Sequence, residues 1–461
     1  TGAEDDGYAS YTYTAVDLAG NTTTVTSASS DIRIDNTAPT LNTIEISSSN
    51  TDAAQQAKID DIISVKVVAN EQLRISPVIS IQGNNATINP AGDGLTYTGT
   101  YQMDNLDTEG PVEFTIAFEN TLGIAGISIN DDGSGLNTTN SSKVTYDRTA
   151  PTLNAVTIET DNDNTAYAKE GSIITLSFTA ANTEDLLADP VVTILGNDAD
   201  VSGTGASWAA TYVAVDGDAE GTVPFTIDFS DYASNAGTRV AAITDGDDVI
   251  FDKTPPNLNA GVSIVSSNTN APSGTLAKPL DTITLSITAD DNIKTPTITI
   301  AGQPATIASG NDGESVYTAT YQMQTTNAAD DAINFTVDFS DLAGNEGTQV
   351  VALIGDATGV SFDKQAPSFT SGLPAIVKIE ALENIVSEGT TDDNHTMAKS
   401  GNTITVTLIS DEILKTGLDP TVTIANNNAI VTRTATGASS NTFTATYLMS
   451  EDTDAAFDGQ S

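Results

Sequence analysis

The sequence predicts an all-β fold in which similar sandwich domains follow one another along the chain. Two observations carry this prediction, a recurring junction and a strand-like pattern between its copies. Between the junctions, short stretches alternate apolar and polar residues, without a convincing helical period. The junction reads IDNTAPTL, YDRTAPTL, FDKTPPNL and FDKQAPSF, with its acid at Asp35, Asp147, Asp252 and Asp363. By subtraction these acids are 112, 105 and 111 residues apart, a spacing typical of a tandem array.

The first half of each unit contains its clearest strands. The segments ISVKVV, ITLSFT, ITLSIT and ITVTLI place apolar, mostly β-branched residues at every second position. This period of two with one apolar face indicates a half-buried strand. The segments VISIQG, VVTILG, TITIAG and TVTIAN follow, each just after a proline, where a strand can begin without a ladder donor.

The second half of each unit adds aromatic strands. YTGTY, WAATY, YTATY and FTATY come first, then FTIAF, FTIDF and FTVDF, and Trp208 is expected in the core. A turn such as DLAGN leads to the last strand, which runs into the junction. About seven strands in roughly 110 residues is the pattern of an immunoglobulin-like β-sandwich. The chain has no cysteine, so disulfides and the cysteine spacing of antibody domains are excluded.

The junctions define the expected domains. Residues 1–35 are the C-terminal part of a repeat, 36–147, 148–252 and 253–363 are complete repeats, and 364–461 lacks its final strands. The pattern begins and stops within a repeat, so we expect the chain to belong to a longer protein. Ala-Pro or Pro-Pro after the acid favours extended backbone. Linkers this short predict a rod with limited bending.

The net charge limits the possible partners. With 16 Lys+Arg against 62 Asp+Glu, the chain carries −46. Such a surface cannot neutralise nucleic-acid phosphates, and it disfavours anionic membranes. Cations, solvent, and neutral or basic surfaces remain as partners. The charge also keeps separate molecules soluble and apart.

Residues suited to catalysis are scarce. The single histidine, His395, lies in an acidic loop of the last unit and has no counterpart in the other units. A catalytic triad or a histidine-based metal site needs partners that the repeats do not supply. Carboxylates are abundant, but abundance does not make a pair in a cleft. We therefore expect no enzymatic activity.

Calcium is the chemistry that the acidic loops favour, since hard cations take clustered carboxylate oxygens. Three places in a unit qualify: the junction acid, the acidic pair after the main strand, and the turn before the last strand. The alternative is that Asp and Asn form these turns by bonding to the local backbone. The unit 36–147 departs from the pattern, with Ala117 in place of an acid and ENTLG in place of DLAGN. The candidate ligands are Asp35, Asp147, Asp252, Asp363, Asp231, Asp341, Asp290, Asp291, Glu184 and Asp185.

A lysine also recurs, five residues before the clearest strand of each unit. The sequence places it among polar residues at a strand entrance, so we expect a surface lysine that packs its stem. An intramolecular isopeptide bond would instead need a buried lysine beside a carboxylic acid. The four positions are Lys58, Lys169, Lys278 and Lys399.

The D-x-T-A-P-T-L junction, the D-x-A-G-N turn and the A-x-Y-x-M strand resemble the repeats of large bacterial Ig-like surface adhesins. The resemblance covers essentially the whole chain. It implies an extracellular extender at a bacterial cell surface, which holds a distal binding domain away from the cell. The acid-Pro linker is also similar to the calcium-binding junctions of cadherins, but the fuller acidic motif of cadherins is absent.

Two other functions remain open. In the first alternative to the extender, the array is a building block of an extracellular filament, sheath or surface layer. In the second, it is a set of accessory modules of a secreted hydrolase. Isolated particles in solution would favour the extender, ordered polymers the filament, and a neighbouring catalytic domain the hydrolase. The receptor or ligand stays open in each case.

Overall fold

The computed structural model describes residues 6–26, 32–181, 190–259, 261–269, 274–328, 331–355, 357–369, 379–381, 401, 403–415, 417–433 and 441–450. Over these residues the regular elements are β-strands. The same part of the chain has no helix long and apolar enough to cross a membrane. The predicted all-β tandem array of immunoglobulin-like β-sandwiches is confirmed.

Residues 6–26 and 32–34 form two antiparallel strand pairs. Strand β1 Gly7–Ala9 pairs with β4 Ile32–Ile34, and β2 Thr12–Val16 pairs with β3 Thr22–Thr26.

The unit 36–147 has two four-stranded sheets and a small third one. The sheet orders are β10-β11-β7-β5 and β14-β13-β8-β9, and β15 closes the unit by pairing with β12 and, in parallel, with β6. The strands are β5 Leu41–Ser48, β6 Gln56–Ala57, β7 Ile62–Ala69, β8 Val78–Ile81, β9 Asn84–Asn85, β10 Thr87–Pro90, β11 Thr96–Gln102, β12 Gly110–Pro111, β13 Phe114–Ala117, β14 Ile129–Asp131 and β15 Thr145–Tyr146.

The unit 148–252 repeats this plan, with sheet orders β16-β18-β22-β21, β20-β19-β24 and β17-β25-β23. Its described strands are β16 Leu153–Thr160, β17 Tyr167–Ala168, β18 Ile173–Ala180, β19 Val191–Ile194, β20 Asn197–Asp198, β21 Asp200–Thr204, β22 Ser207–Val213, β23 Gly221–Thr222, β24 Phe225–Asp228 and β25 Ile250–Phe251.

The unit 253–363 has the same orders again, β26-β28-β32-β31, β30-β29-β34 and β27-β35-β33. Its described strands are β26 Gly261–Ser266, β27 Leu276–Ala277, β28 Thr282–Ile293, β29 Thr297–Ile300, β30 Gln303–Pro304, β31 Thr306–Ser309, β32 Glu314–Gln322, β33 Asp331–Ala332, β34 Phe335–Asp338 and β35 Ser361–Phe362.

The described part of 364–461 has one four-stranded sheet, β36-β37-β41-β40, and the pair β38-β39. Its strands are β36 Ile379–Ala381, β37 Thr403–Ile409, β38 Thr423–Ile424, β39 Asn427–Asn428, β40 Ile430–Arg433 and β41 Thr442–Leu448.

The core of each complete unit lies between its two main sheets. In 36–147, the inward side chains of β7 face those of β8 and β13, and Ile63, Ile81 and Ile116 are fully buried. Each buried side chain of this size stabilises the unit by about 1.5–3 kcal/mol. Trp208 lies in the core of 148–252 as predicted, and its indole N–H donates to the carbonyl of Gly205 at 2.8 Å.

The structure divides a unit more finely than the predicted seven strands. The unit 36–147 has eleven strands, and four of them (β6, β9, β12 and β15) contain only two residues. A strand of two residues is too short to be predicted from the alternation of apolar and polar residues. Three of the four short strands, β6, β12 and β15, form the small third sheet, and β9 pairs with β8.

Candidate functional site at the joints between sandwiches

The joint after Asp147 connects the units 36–147 and 148–252 and is built around the loop 231–235 of the second unit. One carboxylate oxygen of Asp231 accepts the backbone N–H of Asn235 at 2.8 Å, and the other accepts its side-chain amide at 3.0 Å. Asp231 is only 3% exposed. The amide of Asn235 also donates to the carbonyl of Asp147 at 3.0 Å, so the closed loop holds the junction itself.

The preceding unit also binds this loop, through residues that do not belong to the linker. The ammonium of Lys58 donates to the carbonyl of Ser234 at 2.8 Å, and the amide of Asn50 donates to the carbonyl of Ala233 at 2.9 Å. The hydroxyl of Ser234 donates to Asp52 at 2.9 Å. Ser234 has a φ of 65°, in the left-handed region that glycine adopts most readily. The turn conformation thus directs consecutive carbonyls toward the neighbouring unit.

The joint after Asp252 repeats the arrangement with the loop 341–345. The ammonium of Lys169 donates to the carbonyl of Gly344 at 2.7 Å, and the amide of Asn162 donates to that of Ala343 at 2.9 Å. The amide of Asn345 reaches the carbonyl of Asp252 at 2.9 Å. Because two joints with different flanking residues share these contacts, the repeated Lys, Asn and D-x-x-x-N positions specify them.

A glutamate fixes the start of the following unit at both joints. Glu109 accepts the backbone N–H of Arg148 at 3.0 Å and the hydroxyl of Thr149 at 2.7 Å. These two bonds, with the Thr149 hydroxyl contributing most, lower the pKa of Glu109. Glu220 binds Lys253 and Thr254 in the same way at the next joint. The threonine of the D-x-T junction is therefore a bridge between two sandwiches.

Several carboxylates approach one another beside the joint after Asp147. Asp147, Asp231 and Glu109 line a cleft of about 430 Å³ between the two units. Burial raises the pKa of Asp147, and the charges of Asp231 and Glu109 add to the rise, while the N–H of Thr149 opposes it. The pKa of Asp252 is raised for the same reason, burial first, with Asp341, Glu220 and Asp291 contributing.

The joint after Asp35 is different. Asn120 stands where the other loops have Asp231 and Asp341, and its amide donates to the carbonyl of Thr37 at 3.3 Å. Arg33 forms an ion pair with Asp35 at 3.1 Å and approaches Glu71 at 3.7 Å. Burial, with the nearby Asp35, raises the pKa of Glu71.

The predicted calcium ligands occupy separate hydrogen-bonding positions. Asp231 and Asp341 close their own loops, Asp290 accepts the N–H of Asn257 at 2.7 Å, and Asp291 accepts that of Asn292 at 2.6 Å. The oxygens of Asp147, Asp252 and Asp363 each accept the N–H two residues later, at 2.9–3.0 Å. Asp35 likewise accepts the N–H of Thr37 at 3.2 Å.

Glu184 and Asp185, like His395 and Lys399, lie outside the described residues. Among the residues that the structure describes, no group of three or more Asp, Glu or His side chains is arranged to hold a metal ion. These oxygens are of the type that calcium binds, and each also forms a local turn. Calcium binding therefore stays a prediction.

Two of the recurring lysines differ from the predicted surface lysine, because Lys58 and Lys169 each donate to a backbone carbonyl of the following unit. Lys278 has the predicted exposure, with 59% of its side chain accessible. Sequence reasoning also missed the asparagines beside them, which had been assigned only to a polar loop. The sequence does contain a signal for these contacts. A lysine and an asparagine recur at matching positions of each unit whose following unit has a D-x-x-x-N loop.

No protein-family model and no curated protein matches the chain. Solved structures with similar architecture include an I-band fragment from titin, at 9% identity and a TM-score of 0.32, covering 72% of this chain and 100% of that one. A structure of a 1.5-MDa bacterial ice-binding adhesin has 17% identity and a TM-score of 0.34, with 72% and 100% covered. Fibronectin(III)-like modules of CbhA from Clostridium thermocellum have 15% identity and a TM-score of 0.23, with 45% and 95% covered.

At TM-scores and identities this low, the similarities carry no argument about function. The assignment to tandem immunoglobulin-like sandwiches rests on the strand order and pairing described above. The chain therefore belongs to the class of tandem β-sandwich proteins with specifically bonded joints.

Proposed function

We propose that the chain is a non-catalytic extracellular protein, a rod-like extender of Ig-like repeats in a bacterial surface adhesin that supports attachment of the cell. The observation that carries this proposal is that side chains of one sandwich form hydrogen bonds to the loop of the next sandwich at two joints. The donors are Lys58 and Asn50 at one joint and Lys169 and Asn162 at the other.

These hydrogen bonds stiffen the joint because they connect the two sandwiches at a second point beside the linker. A joint held only at Asp147 could pivot, but the loop 231–235 also binds Lys58, far away in sequence. Bending away from that side breaks a hydrogen bond from a charged donor, worth about 1.5–3 kcal/mol, and one from a neutral amide, worth about 0.5–1.5 kcal/mol. Thermal energy is well below that sum, so the bonded orientation dominates.

The charge and composition support an exposed, extended molecule. A chain with −46 and no cysteine has neither the basic surface of a nucleic-acid binder nor disulfide staples. The bacterial cell-surface location and the adhesive role come from the resemblance of the D-x-T-A-P-T-L junction to adhesin repeats. Calcium completes the proposal as a cation that would bind the junction acids, among them Asp147 and Asp252, and offset their negative charge.

Small-angle X-ray scattering on the 461-residue chain, extrapolated to zero concentration, tests the extender. A compact globule of this length has a radius of gyration of about 23 Å. We expect a clearly larger value together with the scattering of a thin rod. The variant carrying both Lys58→Ala and Lys169→Ala should have a broader distribution of sizes. Lys66→Ala, on the exposed face of β7, is the control. A wild-type chain as flexible as the double variant would refute the proposal.

A further inference from the structure

The joints after Asp147 and after Asp252, called here the Asp147 joint and the Asp252 joint, share most of their contacts and differ at one position. In both, a lysine and an asparagine of the preceding unit donate to consecutive carbonyls of the following loop. The difference lies two residues after that asparagine, where the Asp147 joint has Asp52 and the Asp252 joint has Asn164. The shared contacts form a joint, so the differing position is where one joint can be distinguished from the other.

At the Asp147 joint the differing residue is a hydrogen-bond acceptor. The carboxylate of Asp52 accepts the hydroxyl of Ser234 at 2.9 Å, across 182 residues of sequence. An ionised carboxylate has no proton to donate, so it needs a donor in the loop that it meets. A hydrogen bond to a carboxylate is also stronger than one between two neutral groups. Asp52 and Ser234 therefore form a matched pair of acceptor and donor.

At the Asp252 joint the differing residue is a hydrogen-bond donor. The side-chain amide of Asn164 donates to the carbonyl of Leu342 at 3.2 Å. The side-chain oxygen of Asn164 accepts the backbone N–H of Ala166 at 3.3 Å within its own unit. The loop has Gly344 where the other loop has Ser234, so this position offers no hydroxyl. The preceding unit therefore meets an acceptor at the Asp252 joint and a donor at the Asp147 joint.

The surroundings of Gly344 also favour glycine at that position. A Cβ atom added to Gly344 would lie 3.3 Å from the ammonium of Lys169 and 3.5 Å from that of Lys294. Gly344 has a φ of 87°, in the left-handed region that glycine adopts most readily. The loop 341–345 therefore lets two ammonium groups approach its backbone and presents no side chain between them.

Exchanging the two loops would give each preceding unit an unsuitable partner. Against the loop 341–345, Asp52 would lose the hydroxyl of Ser234 and would meet the carbonyl of Leu342, so two acceptors would face each other. Against the loop 231–235, Asn164 would leave that hydroxyl without a carboxylate. Specificity is a difference between the free energies of matched and mismatched partners, and a repulsive contact in the mismatched pair increases it.

We propose that the pairs Asp52–Ser234 and Asn164–Leu342 make each joint specific for its own neighbouring unit. The unit 36–147 fits a D-x-x-x-N loop with a hydroxyl residue before its asparagine, and the unit 148–252 fits such a loop with glycine there. In a chain of similar sandwiches, this selectivity keeps a unit from docking on the loop of a unit that does not follow it, in the same rod or in an adjacent rod. The inference rests on the proposed extender, in which the sandwiches are held at their joints.

Hydrogen exchange at the backbone of the loop 341–345, measured on the 461-residue chain, tests the Asp252 joint. Asn164→Asp should accelerate exchange in this loop about tenfold, because a carboxylate replaces the donor to Leu342. Asn89→Asp, the same change on an exposed strand, should leave exchange in the loop as in the wild type. Equal exchange in the wild type and in Asn164→Asp would overturn the proposal.

Substitutions at Gly344 separate the effect of a hydroxyl from the strain of a side chain. Gly344→Ala and Gly344→Ser add the same Cβ at the same φ, and only serine adds a hydroxyl. Combined with Asn164→Asp, serine should slow exchange in the loop about threefold relative to alanine, after correction for intrinsic rates, because the carboxylate then has a donor. With Asn164 retained, the two substitutions should give equal exchange. Serine and alanine that behave alike in both backgrounds would contradict the proposed pairing.

A double-mutant cycle tests the Asp147 joint. Asp52→Ala and Ser234→Ala should each accelerate exchange in the loop 231–235 about threefold, and the double variant should exchange no faster than either single variant. Effects that multiply in the double variant would show that the two side chains do not act as a pair. A chain that scatters as a rod but has no coupling at either joint would overturn only this inference, whereas a flexible wild-type chain would refute the extender itself.

Discussion

The joints after Asp35 and after Asp147 have nearly the same linker but different contacts. Their junctions read IDNTAPTL and YDRTAPTL. After Asp147, Asp231 closes the loop 231–235, and Asn235 donates from that loop to the carbonyl of Asp147. After Asp35, Asn120 contacts the linker itself, and Arg33 pairs with Asp35 and Glu71. The Pro-containing linker alone therefore does not define the joint, which depends on residues far from it in sequence.

The largest effect is expected from Asn235→Ala. The amide of Asn235 joins Asp231 to the carbonyl of Asp147, so its loss opens the loop and releases the junction. Leaving the largely buried Asp231 short of a donor should destabilise the unit 148–252 by about 1–3 kcal/mol. Thermal unfolding and hydrogen exchange at residues 231–235 measure this change. Asn89→Ala, on an exposed strand, should change neither, and equal losses in both variants would contradict the assigned role.

A smaller effect is expected from Lys58→Met, which keeps the apolar stem and removes the ammonium. The joint loses one charge-assisted bond, about 1.5 kcal/mol at the low end of the range for such bonds, while both sandwiches keep their cores. Exchange should therefore accelerate at the backbone of loop 231–235, with little change in the strands. Lys66→Met is the matched control. If the strands of both units lost protection to the same extent as the loop, Lys58 would be stabilising a core and not a joint.

The pH dependence separates two carboxylates of one joint. The pKa of Glu109 is lowered by bonds to Thr149 and Arg148, so its stabilisation is present above its unfolded pKa and is lost as pH falls through the folded value. The pKa of Asp147 is raised by burial and by Asp231 and Glu109, so its ionisation costs stability as pH rises through that range. Glu109→Gln should destabilise the chain at neutral pH, and Asp147→Asn should stabilise it slightly, each by about 0.5 kcal/mol.

Urea unfolding of the two variants at pH 7 and at pH 3 measures this difference. Because its pKa is raised, Asp147 takes up its proton at a higher pH than a free aspartate, so the stability difference between Asp147→Asn and the wild type should shrink over this range. Because the pKa of Glu109 is lowered, the difference for Glu109→Gln should persist to a lower pH than for a free glutamate. The same sign of change in both variants at pH 7 would show that the joint does not distinguish these carboxylates.

Much of the fold, but little of the joint, could be predicted from the sequence. Alternation such as ISVKVV identifies β7 because one face is buried in the same chain segment that carries the pattern. The contact of Lys58 with Ser234 joins residues from different units, and local periodicity contains no information about it. Asp231 illustrates the limit as well, because an acid that closes a turn and an acid that binds calcium have the same local sequence.

The smallest expected effect is that of calcium. Millimolar calcium matches the affinity of about 0.1–1 mM that is usual for extracellular modules. If the junction acid Asp147 binds the ion, the melting temperature should rise by a few degrees more than in magnesium at equal ionic strength, and EDTA should reverse the rise. Asp147→Asn should reduce this difference, whereas Asp93→Asn, which alters an exposed turn within one unit and is not a predicted ligand, should not. Equal shifts in calcium and magnesium would mean that the ions only screen the charge, and these aspartates would then be turn formers. The stiffness of the joint would in that case depend on Lys58, Asn50 and the linker alone.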